Sequence, residues 1–435
     1  MPGMKRIVLP FLFAFAAAPA LADPANPAAV ATALLDHLDA GEYAQAEAMF
    51  DERMAQAVPV DKLKAVWESL PAQAGAATGR GQASVEPATD AQVATIPLHH
   101  AVAELVAKVA VADDGRVVGF LIQPAPPPPA AAVAADADFH EADFSVGEGE
   151  HALPGTLAMP NGAGPFPAVV LVHGSGPQDR DESIGANKPF LDIARGLAAQ
   201  GVAVLRYEKR SHARPEDFTS GFTIDDETTN DAVLAVDALR RTPGIDPNRV
   251  FVLGHSQGGM MAPRIAAVSS HVAGLVLFAA PSRSLLDILV EQNRRLAVLD
   301  DGKTSDAERS AIEALQAQVR ATRDPSTADN AKTVLGQPAG YWRSVDHVDP
   351  VAEARQVALP MLVLQGARDI QVVDADWQNW KAAFHDDPKV AFKLYDKLNH
   401  LGIAGEGEGG LAEYAKPGHV DAQLIDDTAA WIKAH

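Results

Sequence analysis

The chain has 435 residues, 47% of them hydrophobic, which is enough for two domains with their own cores. A formal charge of −21 argues against a nucleic-acid partner, because an acidic surface repels phosphate backbones. Cysteine is absent, which removes disulfides, a thiol nucleophile, thiolate metal sites and a lipid-modified cysteine.

Residues 1–22 read as a signal peptide. Lys5 and Arg6 precede a short apolar run from Ile7 to Ala18, and Ala20-Leu21-Ala22 fits the small-x-small cleavage rule. The alternative is a membrane anchor, but the run is short for a span and proline follows it. The expectation is a mature chain beginning at Asp23, periplasmic or secreted, with no membrane anchor.

Residues 27–123 form the first unit. Val30, Leu34, Leu35 and Leu38 fall at helical spacing until Gly41 breaks the run. Further helices are expected over Tyr43–Phe50 and Lys62–Leu70. The β-rich stretch from Ala91 to Pro124 predicts about three strands, with Asp113-Asp114-Gly115 as the last hairpin turn. Helices followed by a meander indicate a small α+β domain. Residues 124–138, "PAPPPPAAAVAADAD", read as a linker or a proline-rich surface loop.

From Phe139 to His435 the pattern changes. A β-hairpin leads into six short apolar runs that alternate with helical segments. Continuously apolar strands are buried on both faces, as in a parallel sheet flanked by helices, so the fold class is open α/β. The helix from Pro189 to Gly201 shows the logic: Phe190, Ile193, Ala194, Leu197 and Ala198 line one face. Residues of about 283–357 interrupt the alternation with long helical patterns. Inserted at the carboxyl end of a strand, they predict a helical cap over the ligand crevice.

The chemistry centres on "VFVLGHSQGGM". An apolar strand runs into a turn at Ser256 with Gly254 and Gly258 two residues either side, and a helix follows. Such a turn exposes a hydroxyl nucleophile, and glycines leave room for neighbouring strands. The Gln257 N–H then lies at the helix N-terminus, where an oxyanion would form. A serine needs a base and the base an orienting acid. Asp369, just past the strand Met361–Gly366, and His400, in the loop after the next strand, are the acid and base expected. His255 is a poor candidate for the base because it adjoins the nucleophile, while Asp374 and Asp376 look like helix-start residues. Upstream, "LVHGSG" supplies the second oxyanion donor, the Ser175 N–H, with Gly174 against the substrate and His173 structural. Tyr341 and Trp342 are cap aromatics for the substrate pocket or for core packing. No metal ligands and no cofactor are expected.

These stretches, above all "GSGPQDRDE…NKPF…AVLRYEKR" with "GHSQGGM" and "LNHLG", resemble the α/β-hydrolase superfamily. The likeness is greatest to a bacterial branch of EstD-type serine carboxylesterases, and it covers about residues 139–435. The first unit resembles the nuclear-transport-factor-like domains that precede some of these enzymes. The resemblance implies hydrolysis of small-molecule, short-chain carboxylic esters through an acyl-enzyme, with Ser256, Asp369 and His400 as triad. A peptidase, a thioesterase or a non-catalytic binding protein on the same scaffold are the alternatives. Asp179, Arg180 and Asp181 match the branch and are expected to brace the crevice wall. Arg206 and Lys209 would either approach a substrate carboxylate or sit in a solvated loop. Ser211 stands where related chains have Gly or Thr, at the crevice rim.

Overall fold

The structure is a computed structural model that describes residues 26–101, 104–126, 130–219, 221–299 and 302–435. The expected signal peptide lies outside these residues. Among them, no helix is long and apolar enough to cross a membrane. The chain divides into two compact units, residues 1–126 and 127–435.

In the first unit, helices Pro27–Asp39, Tyr43–Ala48, Glu52–Ala57 and Val60–Ala74 precede the strands. Asn26 caps the first helix, accepting from the Ala28 and Ala29 N–H groups. The strands β1 (Ala77–Arg80), β2 (Ser84–Ala88), β3 (Ala91–His100), β4 (Glu104–Val111) and β5 (Val117–Pro124) form one antiparallel sheet. Leu34, Leu35 and Leu38 pack on Ala94, Ile96, Ala107 and Val109. The α+β reading stands, with three elements beyond expectation. Helix Glu52–Ala57 is too short for a periodic signal, and β1 and β2 are exposed edge segments with little apolar pattern.

The second unit holds an eight-stranded sheet. Its strands are β6 (Phe139–Val146), β7 (Leu153–Pro160), β8 (Phe166–Val172), β9 (Ala203–Tyr207), β10 (Ile245–His255), β11 (Leu275–Phe278), β12 (Met361–Gly366) and β13 (Val390–Tyr395). The spatial order is β13-β12-β11-β10-β8-β9-β7-β6. β6 and β7 form the antiparallel hairpin at one edge, and every pairing from β9 to β13 is parallel. Residues 168–172, 250–255 and 275–278 are buried throughout, because helices cover both faces. On one face the helix Pro189–Ala199 buries Phe190, Ile193, Ala194 and Leu197 with Leu424 and Ile432 of the last helix, Ala422–Ala434. On the other, Met260, Met261 and Ile265 join Val236 and Leu239. Between β11 and β12 the expected insertion carries the helices Leu285–Leu299, Asp306–Arg323, Ala339–Asp346 and Pro350–Val357.

The parallel strands all end at one edge. β8 ends before His173, β10 before Ser256, β12 before Asp369, and β13 leads to the loop of His400. Residues hundreds apart in sequence share that edge because each βα crossover returns the chain in the same direction.

Candidate active site

β10 passes into the helix Gln257–Val268 through Ser256, whose backbone lies at φ 52°, ψ −121°. For a residue with a Cβ this left-handed value is strained, and it persists only where surroundings enforce it. They do so here. The Ser256 N–H donates to the Phe278 carbonyl at 2.9 Å, and its own carbonyl accepts from the Met260 N–H at 3.0 Å. The flanking glycines make the turn possible. A Cβ on Gly254 would stand 2.1 Å from the Gly258 oxygen, and one on Gly258 would stand 2.1 Å from the Val172 oxygen. The helix therefore starts hard against the end of β8. Gln257 is its first residue, so its N–H lacks an intrahelical acceptor and sits at the positive end of the dipole.

The structure brings Asp369 and His400 together. His400 Nδ1 donates to Asp369 Oδ2 at 2.8 Å, with both side chains buried. Three more donors hold the carboxylate: Gln365 Nε2 at 3.2 Å, and the N–H groups of Gln371 at 2.8 Å and Val372 at 3.0 Å. With its hydrogen on Nδ1, His400 keeps the lone pair on Nε2. The His400 carbonyl accepts from His255 Nε2 at 2.9 Å, and the two imidazoles lie 4.7 Å apart. The base loop thus stands beside the residue that precedes Ser256.

His255 has a second acceptor, Glu182 Oε2, 2.9 Å from Nδ1. Both ring nitrogens face acceptors, so satisfying both requires the imidazolium. Burial opposes that charge, but the adjacent Glu182 carboxylate outweighs it and raises the pKa of His255. For Glu182 burial likewise opposes charge, and His255 brings its carboxyl below the usual range. Glu182 Oε1 also accepts the Gly174 N–H at 2.6 Å. His173 contrasts with this pair. Burial pushes its pKa down to about 4, and its ring packs on Phe190 and Tyr207. Both histidine rings are buried.

Gly174 is buried and Ser175 exposed. A Cβ on Gly174 would lie 3.3 Å from that of Ser256, so this loop touches the serine. Beside it opens a cavity of about 420 Å³, whose lining includes Ser175, Gln257, Phe222, Glu227, Tyr341 and Trp342. Tyr341 and Trp342 are also 7% and 5% exposed members of the core, so they serve as cavity wall and as packing. The Tyr341 hydroxyl donates to Glu227 at 2.7 Å.

The charged residues of "DRDE" and "RYEKR" are internal. Arg180 pairs with Glu208 at 2.6 Å, and Asp181 with Arg206 at 2.9 Å and Lys188 at 3.4 Å. Asp179 accepts from the Asp181 and Ser183 N–H groups. All three side chains are thus engaged in ion pairs or hydrogen bonds within the protein. Arg206 and Lys209 depart from the solvated-loop expectation: neither is exposed to solvent. Arg206 is 3% exposed and bound to Asp181 and Glu141, and Lys209 is 2% exposed and bound to the Gly174 carbonyl, Gln257 and Glu227. Asp376 is a fully buried partner of Arg283, beyond the helix-start role expected of it. Glu182 and Glu227 are the site residues that sequence reasoning missed. The acidic run before the Pro189 helix gave a faint signal for Glu182; Glu227 gave none.

The family described as serine aminopeptidase, S33, matches residues 164–406, and a protein family of unknown function (DUF3887) matches residues 31–120. The chain is 36% identical to the esterase EstD of Thermotoga maritima over 402 residues, covering 92% of this chain and 93% of that one. It is also similar to the solved structure of Est1E from Butyrivibrio proteoclasticus, at 14% identity and TM-score 0.44, over 67% of this chain and 99% of that chain. An esterase of Pyrococcus furiosus matches at 16% identity and TM-score 0.41, over 63% of this chain and 88% of that chain. With a family match over more than half its length, and a full-length relative at that identity, the chain belongs to the serine aminopeptidase S33 family of α/β-hydrolases.

Proposed function

We propose that this hydrolase is an exported serine carboxylesterase that cleaves short-chain esters through an acyl-enzyme on Ser256. The observation that carries the reading is the pairing of His400 with Asp369 at the sheet edge where Ser256 is held in a strained turn. Ser256 Oγ attacks the ester carbonyl carbon as His400 Nε2 takes its proton. Asp369 orients the imidazole and stabilises the imidazolium. The oxyanion meets the N–H groups of Gln257 and Ser175. As the C–O bond breaks, His400 hands the proton to the departing alkoxide, and the alcohol leaves. Water then attacks the acyl-enzyme, its proton passing through His400 back to Ser256 Oγ, and the acid is released. The cavity beside Ser175 and Gln257 suits a small apolar acyl or alcohol group.

A fluorophosphonate probe followed by peptide mapping tests this. The label should fall on the peptide containing Ser256 and abolish hydrolysis of p-nitrophenyl butyrate. A label on another residue, or activity surviving full labelling of Ser256, defeats the assignment. Faster turnover of aminoacyl anilides than of p-nitrophenyl esters would make the enzyme a peptidase. Export rests on the pattern of residues 1–22, and N-terminal sequencing of the native protein should begin at Asp23. Recovery of Met1 from a cytoplasmic fraction would reject it.

A further inference from the structure

Lys209 lies just past β9 and is 2% exposed. Its ammonium makes three contacts: the Gly174 carbonyl at 2.9 Å, Gln257 Oε1 at 3.3 Å and Glu227 Oε1 at 3.2 Å. The first two are hydrogen bonds and the third is an ion pair. A carboxylate partner offsets its desolvation, and Glu227 is held in turn by the Tyr341 hydroxyl at 2.7 Å and Ser211 Oγ at 3.0 Å.

The Gly174 carbonyl shares a peptide plane with the Ser175 N–H. That peptide is trans, so the two groups point in opposite directions. An ammonium that fixes the carbonyl therefore fixes the N–H to face away from Lys209. The preceding peptide is also held, because the Gly174 N–H donates to Glu182 at 2.6 Å. Gly174 has no side chain to restrict rotation of its own, so these two contacts set its orientation. The same ammonium reaches the side chain of Gln257, the other expected oxyanion donor.

Resting on the esterase reading above, we propose that Lys209 is a positioning residue that pre-orients the oxyanion hole, gripping the Gly174–Ser175 peptide and Gln257 at once. It touches no reacting atom. It removes the reorganisation that a free glycine peptide would undergo as the oxyanion forms, which is where oxyanion holes gain their effect. Through Glu227 the hole is linked to Tyr341 of the cap.

The test compares Lys209→Met with the double variant Lys209→Met/Glu227→Gln, which removes both buried charges and keeps the protein measurable should the single variant misfold. With p-nitrophenyl butyrate, kcat should fall about 100-fold with KM changed by less than about threefold, the signature of one lost oxyanion donor. Affinity for phenylboronic acid, which forms a tetrahedral adduct on the serine, should fall in parallel. The pH dependence of kcat/KM should keep its acid limb, because the Asp369–His400 pair is untouched. A folded double variant with kcat and boronate affinity within about threefold of the parent would overturn the proposal. So would a parallel loss of substrate binding, which marks a general disturbance. Failure of the esterase reading is separately visible, since Ser256→Ala would then retain turnover.

Discussion

Two buried carboxylate–histidine pairs stand side by side in this molecule, and the difference between them lies in one nitrogen. Asp369–His400 and Glu182–His255 have similar contacts, 2.8 and 2.9 Å, and the imidazoles are 4.7 Å apart. In the second pair the far nitrogen is occupied by the His400 carbonyl. Both nitrogens of that ring therefore face acceptors, and Glu182 raises its pKa. In the first pair, among the described residues, no hydrogen bond engages the far nitrogen. A carboxylate beside a histidine therefore does not define a base; the partner of the other nitrogen decides between proton carrier and strut. Glu182 also sits at φ 51°, in the left-handed region, which is consistent with a side chain held by its contacts.

Asp369→Asn should have the largest effect. It leaves the shape intact but removes the acceptor that fixes the tautomer, so kcat falls by about 10⁴-fold. Denaturant unfolding should show a loss no greater than about 2 kcal/mol. Glu182→Gln should reverse that pattern. Breaking one side of a buried ion pair costs about 3–5 kcal/mol of stability, read from the unfolding midpoint, with a smaller loss of kcat. If Glu182→Gln abolished turnover and left stability unchanged, the division into base and strut would fail.

Acid sharpens the comparison further. Burial places the folded pKa of His173 near 4, against an ordinary value of 6.5. Between those values the unfolded chain binds more protons, so stability falls as pH drops through this window, by about 3 kcal/mol in full. His173→Gln should flatten that part of the stability curve relative to the parent. The Glu182–His255 pair behaves differently. The raised pKa of His255 gives stability present below 6.5 and lost as pH rises through its folded value. The lowered pKa of Glu182 gives stability present above its ordinary range and lost as pH falls through its folded value. An equal acid slope in His173→Gln and the parent would remove His173 as the cause.

Tyr341→Phe should have the smallest effect. Burial, then the Glu227 carboxylate, push its phenol well above the ordinary range, so it stays a donor to Glu227. Removing it should lower stability by about 1–3 kcal/mol in thermal unfolding, with the cavity wall kept. No measurable change would separate the cap from the Glu227–Lys209 link.

The parallel strands were legible in the chain because burial on both faces leaves a continuous apolar run, as in Val250–Leu253. The turn at Ser256 was legible because two glycines and a strand-to-helix change are local signals. The meeting of Asp369 and His400 followed from their places after strands that share one direction. Lys209 and Arg206 were misread because a cation after a strand looks the same whether water or a carboxylate surrounds it. Glu52–Ala57, β1 and β2 were missed because short or exposed segments carry no period.

What sequence alone determined are the features whose physics is local: helix and strand periodicity, the glycine-flanked turn, and the order of the edge residues. Tertiary structure alone decided which buried charges meet. Glu182 finds His255 across 73 residues, and Lys209 finds Gly174 across 35. Such pairings depend on where each crossover returns the chain and on how far water is excluded there, and neither leaves a pattern along the sequence.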